Sequence, residues 1–579
     1  MIKHFHPMAV AALLIAGCVT APVPTPEAVA PTATAPAAAP TIPPVVQQSF
    51  DAFRAEAIRA HTRYLSSDEL EGRGPGTRGD ALATKYIAAQ FEAAGLEPAG
   101  DGGTYFQKVA LIGLATVEKE TRVRFVKKGG NAFPDLHFGT DFVGADQTQD
   151  ASATIDSEVI FVGHGVQAPE YRWDDYKGLD VRGKTLVMLV NDPPASAQEP
   201  ELFEGRRRTY YGRWTYKFET GTALGAKAVL LVHTSEGAGY GWSVVKNSWS
   251  GENGYVKREP GSSALSFAGW LSEKTAQELF AAAGLDLAEA TKAAASRDFK
   301  PVALNVRFDG KVATRVRPFE TANVVARLAG SDPALSNEAV IYTAHHDHLG
   351  IGAPDEDDPT DTIYNGAIDN ATGTAAVIEI ARVWANAPRP KRSIYFATVA
   401  AEEQGLLGSE FLAKNPPVPS GRIALALNLD ALSLRGKVGS ITMNGVEKTT
   451  FLDTATRVTR ALDLKIIPDQ APEQGGYYRS DHFSLAKTGV PAFSIGLGSD
   501  VIGRTPEWVR EKSREYGRKH YHQPSDEFDP SWDFASAVQA GHLTFWLGWE
   551  GANAPVKPDW LAGAEFKAVR DEAIGALTK

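Results

Sequence analysis

The sequence predicts an α/β protein, a mainly parallel mixed sheet flanked by helices and interrupted by a smaller inserted α+β module. Two observations predict it. Beyond about residue 313, apolar strands alternate with helical stretches, the pattern of a layered sheet with crossover helices. From 118 to 312 the texture changes to short apolar runs punctuated by Gly, Pro and Asp, which describes a separate compact module. A length of 579 residues exceeds a single core, so more than one folded unit is expected.

The first residues read as a targeting segment, with Lys3 as its positive region and Met8 to Ala16 as an apolar stretch too short to span a bilayer. It ends in Ile15-Ala16-Gly17-Cys18, which resembles the lipobox of bacterial lipoproteins, where cleavage leaves a lipidated cysteine. Cys18 is the only cysteine, so no internal disulfide is available and a lipid acceptor is the reading it fits. Residues 1–17 are thus assigned as a lipoprotein signal peptide, and 18–46 as an Ala/Pro/Thr-rich linker that cannot bury a core. The expected location is that of an exported lipoprotein held at the membrane by Cys18 alone, on the bacterial outer membrane or facing the periplasm.

The chain as a whole, with 43% hydrophobic and 22% charged residues, has an ordinary globular composition. A net charge of −11 without a dense basic run excludes a nucleic-acid partner, because phosphate binding needs clustered Lys and Arg. Residues 47–117 form the first segment of the main domain. Helical spacing of apolar residues runs from Gln47 to Leu65 and from Arg78 to Leu96, around a turn-rich loop at Glu71 to Thr77. In the insert, 118–312, Val159 to Val162 and Thr185 to Val190 read as strands, while Phe218 to Ala226 reads as a helix before a strand at Ala228 to Val232. His164, Trp173 and Trp214 are read there as structural residues. In the main segment, 313–579, strands are expected at Ala339 to Ala344, Ser393 to Ala400 and Arg422 to Leu429, with a helix at about Ala371 to Ala385.

The polar clusters sit at strand ends or in loops beyond them, where sites collect in such sheets. His345 and Asp347 in Ala344-His345-His346-Asp347-His348 share one face, so His345 is a candidate ligand and Asp347 its orienting carboxylate. His346 and His348 are taken as bystanders. Asp369, in Gly366-Ala367-Ile368-Asp369-Asn370, offers one oxygen to each of two cations. Glu402 and Glu403 point in different directions from a strand end, so one can bind metal while the other faces an attacking water. Asp430 and His522 complete a nitrogen and oxygen donor set that suits zinc.

In order and local wording, these clusters resemble the M28 family of zinc peptidases, over roughly residues 320 to 530. The resemblance implies a zinc-peptidase fold of the phosphorylase/hydrolase type and two Zn2+ per chain. His345 and Asp430 would bind one ion, Glu403 and His522 the other, and Asp369 both. Glu402 would be the general base, and Tyr521 would stabilise the oxyanion, with Tyr477 or Tyr478 as alternatives. Arg479-Ser480-Asp481-His482-Phe483 resembles a loop shaping the substrate end, which makes Asp481 and Tyr478 candidate substrate contacts, and His482 is not expected to bind metal. The Asp369-Asn370 peptide is expected to be cis. Within the insert, Gly163-His164-Gly165-Val166 and Trp173-Asp174-Asp175-Tyr176 resemble a protease-associated domain.

The implied activity is exopeptidase cleavage of peptide substrates, with removal of N-terminal residues preferred over a carboxypeptidase action that would need a cationic clamp such as Arg479 or Arg504. A single-zinc glutaminyl cyclase is the first competing reading, disfavoured because His345 is present. A peptidase-fold binding protein without catalysis is the second, disfavoured because the ligand and base positions are all filled.

Overall fold

The computed structural model describes residues 41–130, 133–355 and 357–578. The signal peptide and Cys18 lie outside the described residues. No helix among the described residues is long and apolar enough to cross a membrane.

The centre of the fold is four strands, Ala339–His345, Ser393–Val399, Ile423–Asn428 and Ala492–Ser494, all paired in parallel. The first three are buried along their whole length. That is why they read as unbroken apolar runs rather than as alternating patterns. Side chains leave the sheet alternately, so Val340, Tyr342, Phe396 and Leu427 pack on one face, and Ile341, Tyr395, Ala397 and Ala426 on the other. The first face is covered by Ala55–Leu65, Arg78–Ala93, Thr372–Asn386 and Ala535–Asn553, which contribute Ile58, Ile87, Trp384 and Trp546. On the second face Leu412 and Phe483 pack from two short helices.

The sheet is mixed at its flank. Val302–Leu328 runs antiparallel to Ser393–Val399 and to Phe106–Thr116. Its first half pairs instead with Arg122–Lys127 and Ser152–Phe161, also antiparallel. From there Thr185–Leu189, Ala228–Val232 and Phe267–Leu271 continue in parallel, closed by antiparallel Phe142–Ala145. A single 27-residue strand therefore belongs to both the main sheet and the inserted segment. The boundary read at 312/313 falls inside it, because no change of composition marks a strand shared by two layers.

The helical pattern of Gln47 to Leu65 resolves into two helices, Pro44–Phe50 and Ala55–Leu65. Tertiary contacts break it. The Arg54 main-chain N–H donates to the buried Glu379 carboxylate at 2.7 Å, while Phe50 stacks on His542 with ring centres 4.2 Å apart. An amide committed to a side chain on a neighbouring helix cannot also extend its own.

Candidate metal centre

Three parallel strands deliver the ligand candidates at their carboxyl ends, and two loops bring the others to them. His345 is the last residue of its strand. Its Nδ1 lies 3.2 Å from the main-chain oxygen of Asp347 and 3.8 Å from the Asp347 carboxylate. A carbonyl only accepts, so Nδ1 carries the proton and Nε2 is left as the free donor atom. Asp347 sits beside His345 through its backbone and, farther off, its carboxylate, and that carboxylate also accepts the Glu402 main-chain N–H at 3.0 Å. Asp347 thus fixes the turn from which the Glu402-Glu403 pair projects.

The Asp369 loop is shaped by its own backbone. Gly366 has φ +55, and a Cβ there would lie 2.3 Å from the Asp369 carbonyl oxygen, so only glycine fits. The Asp526 carboxylate accepts the main-chain N–H groups of Ile368 and Asp369, each at 3.1 Å. Asn370 donates to the Leu429 carbonyl at 3.0 Å and accepts from Ala431 N at 3.1 Å, tying this loop to the strand end that carries Asp430. The Asp369-Asn370 peptide is cis. Asp430 is held from behind, where Ser480 Oγ donates to its Oδ2 at 2.6 Å and itself accepts from Asn428 at 2.8 Å.

The five ligand candidates converge. His345 Nε2 lies 3.3 Å from Asp369 Oδ1 and 3.2 Å from Asp430 Oδ1. His522 Nε2 lies 3.3 Å from Asp369 Oδ2 and 3.1 Å from Glu403 Oε2. The two oxygens of one carboxylate therefore face two separate histidines. A tetrahedral zinc with bonds of about 2.0–2.1 Å requires neighbouring donor atoms about 3.3 Å apart, the length of the tetrahedron's edge. The four histidine–carboxylate separations are within about 0.2 Å of that value. The donor spacing on either side of Asp369 thus suits zinc ligation.

Burial and charge are consistent with cation binding. His345 is 1% exposed and the Asp369 side chain 6%. Burial alone would make His345 harder to protonate, but Glu402, Asp430 and Asp369 push it well above the ordinary histidine range. His522 behaves the same way: burial opposes its charge, yet bonds to Asp369 and Glu403 carry it up to about 10. Burial would also raise Glu403, but bonds from His348 and His522 bring it down to about 2. Asp369 lies below the usual carboxylate range, held there against burial by His345 and His522. Burial, then the neighbouring Asp430, Asp481 and Glu403, lift Glu402 well above it despite His345. Without metal, protonated imidazoles are the counter-charge to a crowd of buried carboxylates, a role that divalent cations fill directly.

Glu402 has no side-chain hydrogen bond among the described residues and lines a cavity of about 450 Å³ together with His345, Asp369, Glu403, Asp430 and Tyr521. Tyr521 stacks on His522 with ring centres 3.9 Å apart. Two expected substrate contacts stand elsewhere. Tyr478 is buried and donates its hydroxyl to Glu565 at 3.1 Å. Asp481 is fully buried behind the ligands, pushed up to about 7 by burial, and neither residue lines this cavity.

Sequence reasoning missed several supports. His348, taken as a bystander, places Nδ1 2.7 Å from Glu403 Oε1. His346 faces Asp80 at 3.4 Å, across from the ligands. Arg73 is buried and donates to the carbonyls of Leu65, His346, Asn365 and Gly366, pinning the two ligand-bearing loops together. Asp526, four residues after His522, and Ser480, in the Arg479 to Phe483 loop, were within reach of the sequence. Arg73, from a loop almost three hundred residues away, had no local signal.

The Peptidase family M28 profile matches residues 323–545. A Leptosphaeria maculans protein named "Probable zinc metalloprotease" is 37% identical over 235 residues, which is 38% of this chain and 50% of that protein. Leupeptin-inactivating enzyme 1 of Streptomyces exfoliatus is 25% identical over 254 residues, 43% of this chain and 52% of the enzyme. The chain spans about half the length of these curated relatives. Among solved structures, an aminopeptidase from Aneurinibacillus sp. strain AM-1 is 17% identical, with a TM-score of 0.44 over 88% of this chain and 96% of its own. The segment that carries His345, Asp369, Glu402, Glu403, Asp430 and His522 lies wholly within the match to the peptidase family M28 profile.

Proposed function

We propose that this chain is a two-zinc aminopeptidase that removes N-terminal residues from peptides. One observation carries the reading: Asp369 turns one oxygen to His345, which also faces Asp430, and the other to His522, which also faces Glu403. Two bound zinc ions would polarise the scissile carbonyl and make a water nucleophilic at neutral pH. The protein's own groups do the rest. Glu402, unligated in this assignment and facing the cavity, takes the proton of the attacking water and returns it to the departing amine. Tyr521 offers its hydroxyl to the oxygen on which negative charge develops. His345 and His522 stay neutral and oriented, the first by the Asp347 carbonyl.

In this proposal the segment 118–312 is a protease-associated module at the mouth of the site. Cys18, through its lipid, holds the enzyme to a membrane surface.

The test is release of free amino acids from peptides with free and with acetylated N-termini. Aminopeptidase action predicts sequential release from the free amino end and none from the blocked peptides. Release from the carboxyl end of the blocked peptides would overturn the direction of cleavage. A single zinc per chain with ring closure of N-terminal Gln would favour the cyclase reading.

A further inference from the structure

A second cavity, about 1200 Å³, adjoins the ligand cluster and is walled by the inserted segment and by the loop that ends at Arg479. Arg479 lines both spaces, so the two share a wall. In a chain with a net charge of −11, this cavity is lined by five arginines, Arg206, Arg207, Arg208, Arg213 and Arg479, against three carboxylates.

The arginines are not equally neutralised. Arg206 pairs with Glu473 at 3.5 Å, and Arg207 pairs with Glu204 at 3.2 Å and with Glu447 at 3.6 Å. Arg208 reaches only the carbonyls of Ala238 and Gly237, each at 3.3 Å. Among the described residues, Arg213 and Arg479 have no side-chain hydrogen bond or ion pair. The Nε atoms of Arg208 and Arg213 are buried without a partner. Asp192, which lines the same cavity, is already occupied by Thr209, whose main-chain N–H and hydroxyl donate at 2.9 and 2.5 Å. Burial, and then the closeness of Arg479 and Arg208, lower Arg213 to about 10, which shows how closely these like charges crowd. Arg208 and Arg213 are half-buried, and a guanidinium in that position is costly unless an anion completes it; Arg479 is exposed and open to one.

We propose that this cavity seats a carboxylate of the peptide whose scissile bond lies in the adjoining ligand cluster, clamped by Arg213 and Arg479 with Arg208 beside them. The planar fork of arginine matches a carboxylate through two parallel N–H donors. Such a carboxylate has two sources, the C-terminus of a short peptide or an Asp or Glu side chain. The inference rests on the peptidase reading, and it narrows the substrates to short or acidic peptides.

Isothermal titration on the zinc-loaded full-length Glu402→Gln chain tests it. The probes are Ala-Ala-Ala with a free carboxyl end, the same peptide as its amide, and the amides of Ala-Glu-Ala and Ala-Gln-Ala. A terminal clamp predicts that the free acid binds about tenfold more tightly than its amide, the scale of one charged hydrogen bond. A side-chain clamp predicts the same ratio for the Glu over the Gln peptide. Adding Arg213→Gln or Arg479→Gln should bring that ratio close to one. Arg504→Gln should keep it, because Arg504 lies over Trp508 at 4.7 Å, outside the cavity. Equal affinity for all four peptides overturns the proposal even if the arginine variants fail to fold, and so does a preference that survives both of them. Alanine release by the wild-type chain is assayed separately: its absence from every peptide counts against the peptidase reading, whereas the affinity ratio bears on the cavity alone.

Discussion

Glu402→Gln should lower kcat about a thousandfold, within the range found when a general acid or base is removed, while metal content and thermal stability stay unchanged. The geometry explains why the effect would be confined to the chemistry. The Glu402 main chain is fixed by the Asp347 carboxylate, and the side chain extends into the cavity without a side-chain partner among the described residues. A glutamine fills the same volume but cannot take a proton. One alternative makes the experiment informative: the Glu402 carboxylate comes within 4.8 Å of donor atoms on His345 and Asp430, close enough to be considered a ligand. If it were one, the glutamine variant would lose zinc along with activity. Undiminished turnover would remove Glu402 from the mechanism altogether. Metal analysis by mass spectrometry beside steady-state kinetics separates these outcomes.

Asp369→Ala should have the larger effect on the protein itself, losing both ions and all measurable activity. Each of its oxygens faces a different histidine, so no other residue can replace it. Glu403→Ala is the informative contrast. Glu403 lies 3.1 Å from His522 and farther, within 4.8 Å, from the donor atom of His345, so this variant should lose one ion and keep the other at His345, Asp369 and Asp430. Loss of bound metal also removes its contribution to stability, about 4 kcal/mol when free metal is a thousandfold above its Kd. Asp369→Ala should therefore melt at the temperature of chelator-treated wild type, and adding zinc should not raise it. An Asp369→Ala chain that retained two ions would refute the shared-carboxylate arrangement.

The sequence made some of this legible and hid the rest for physical reasons. The three buried strands were read almost to the residue, because a strand covered on both faces must be apolar throughout. The ligand candidates were legible as polar residues where those runs stop. The identity of what orients them was not. Strand alternation placed the Asp347 side chain on the same face as His345, yet the nearer contact, at 3.2 Å against 3.8 Å, is made by its carbonyl, a group every residue carries. His348 follows the strand, where alternation no longer applies, and only the folded loop brings it to Glu403. Tyr478 was a candidate because a tyrosine hydroxyl suits an oxyanion, but its neighbour Glu565 lies 87 residues away. Of the Arg213 wall only Arg479 stood out in the sequence, since its other members come from the insert and meet that distant loop only in the fold.

The most direct test is a crystal structure of the zinc-loaded protein with diffraction recorded on both sides of the zinc absorption edge. The arrangement at Asp369 predicts two anomalous peaks about 3.5 Å apart. One should be bonded to His345 and Asp430, the other to Glu403 and His522, with one Asp369 oxygen on each. A single peak, or two peaks that do not share Asp369, would contradict it.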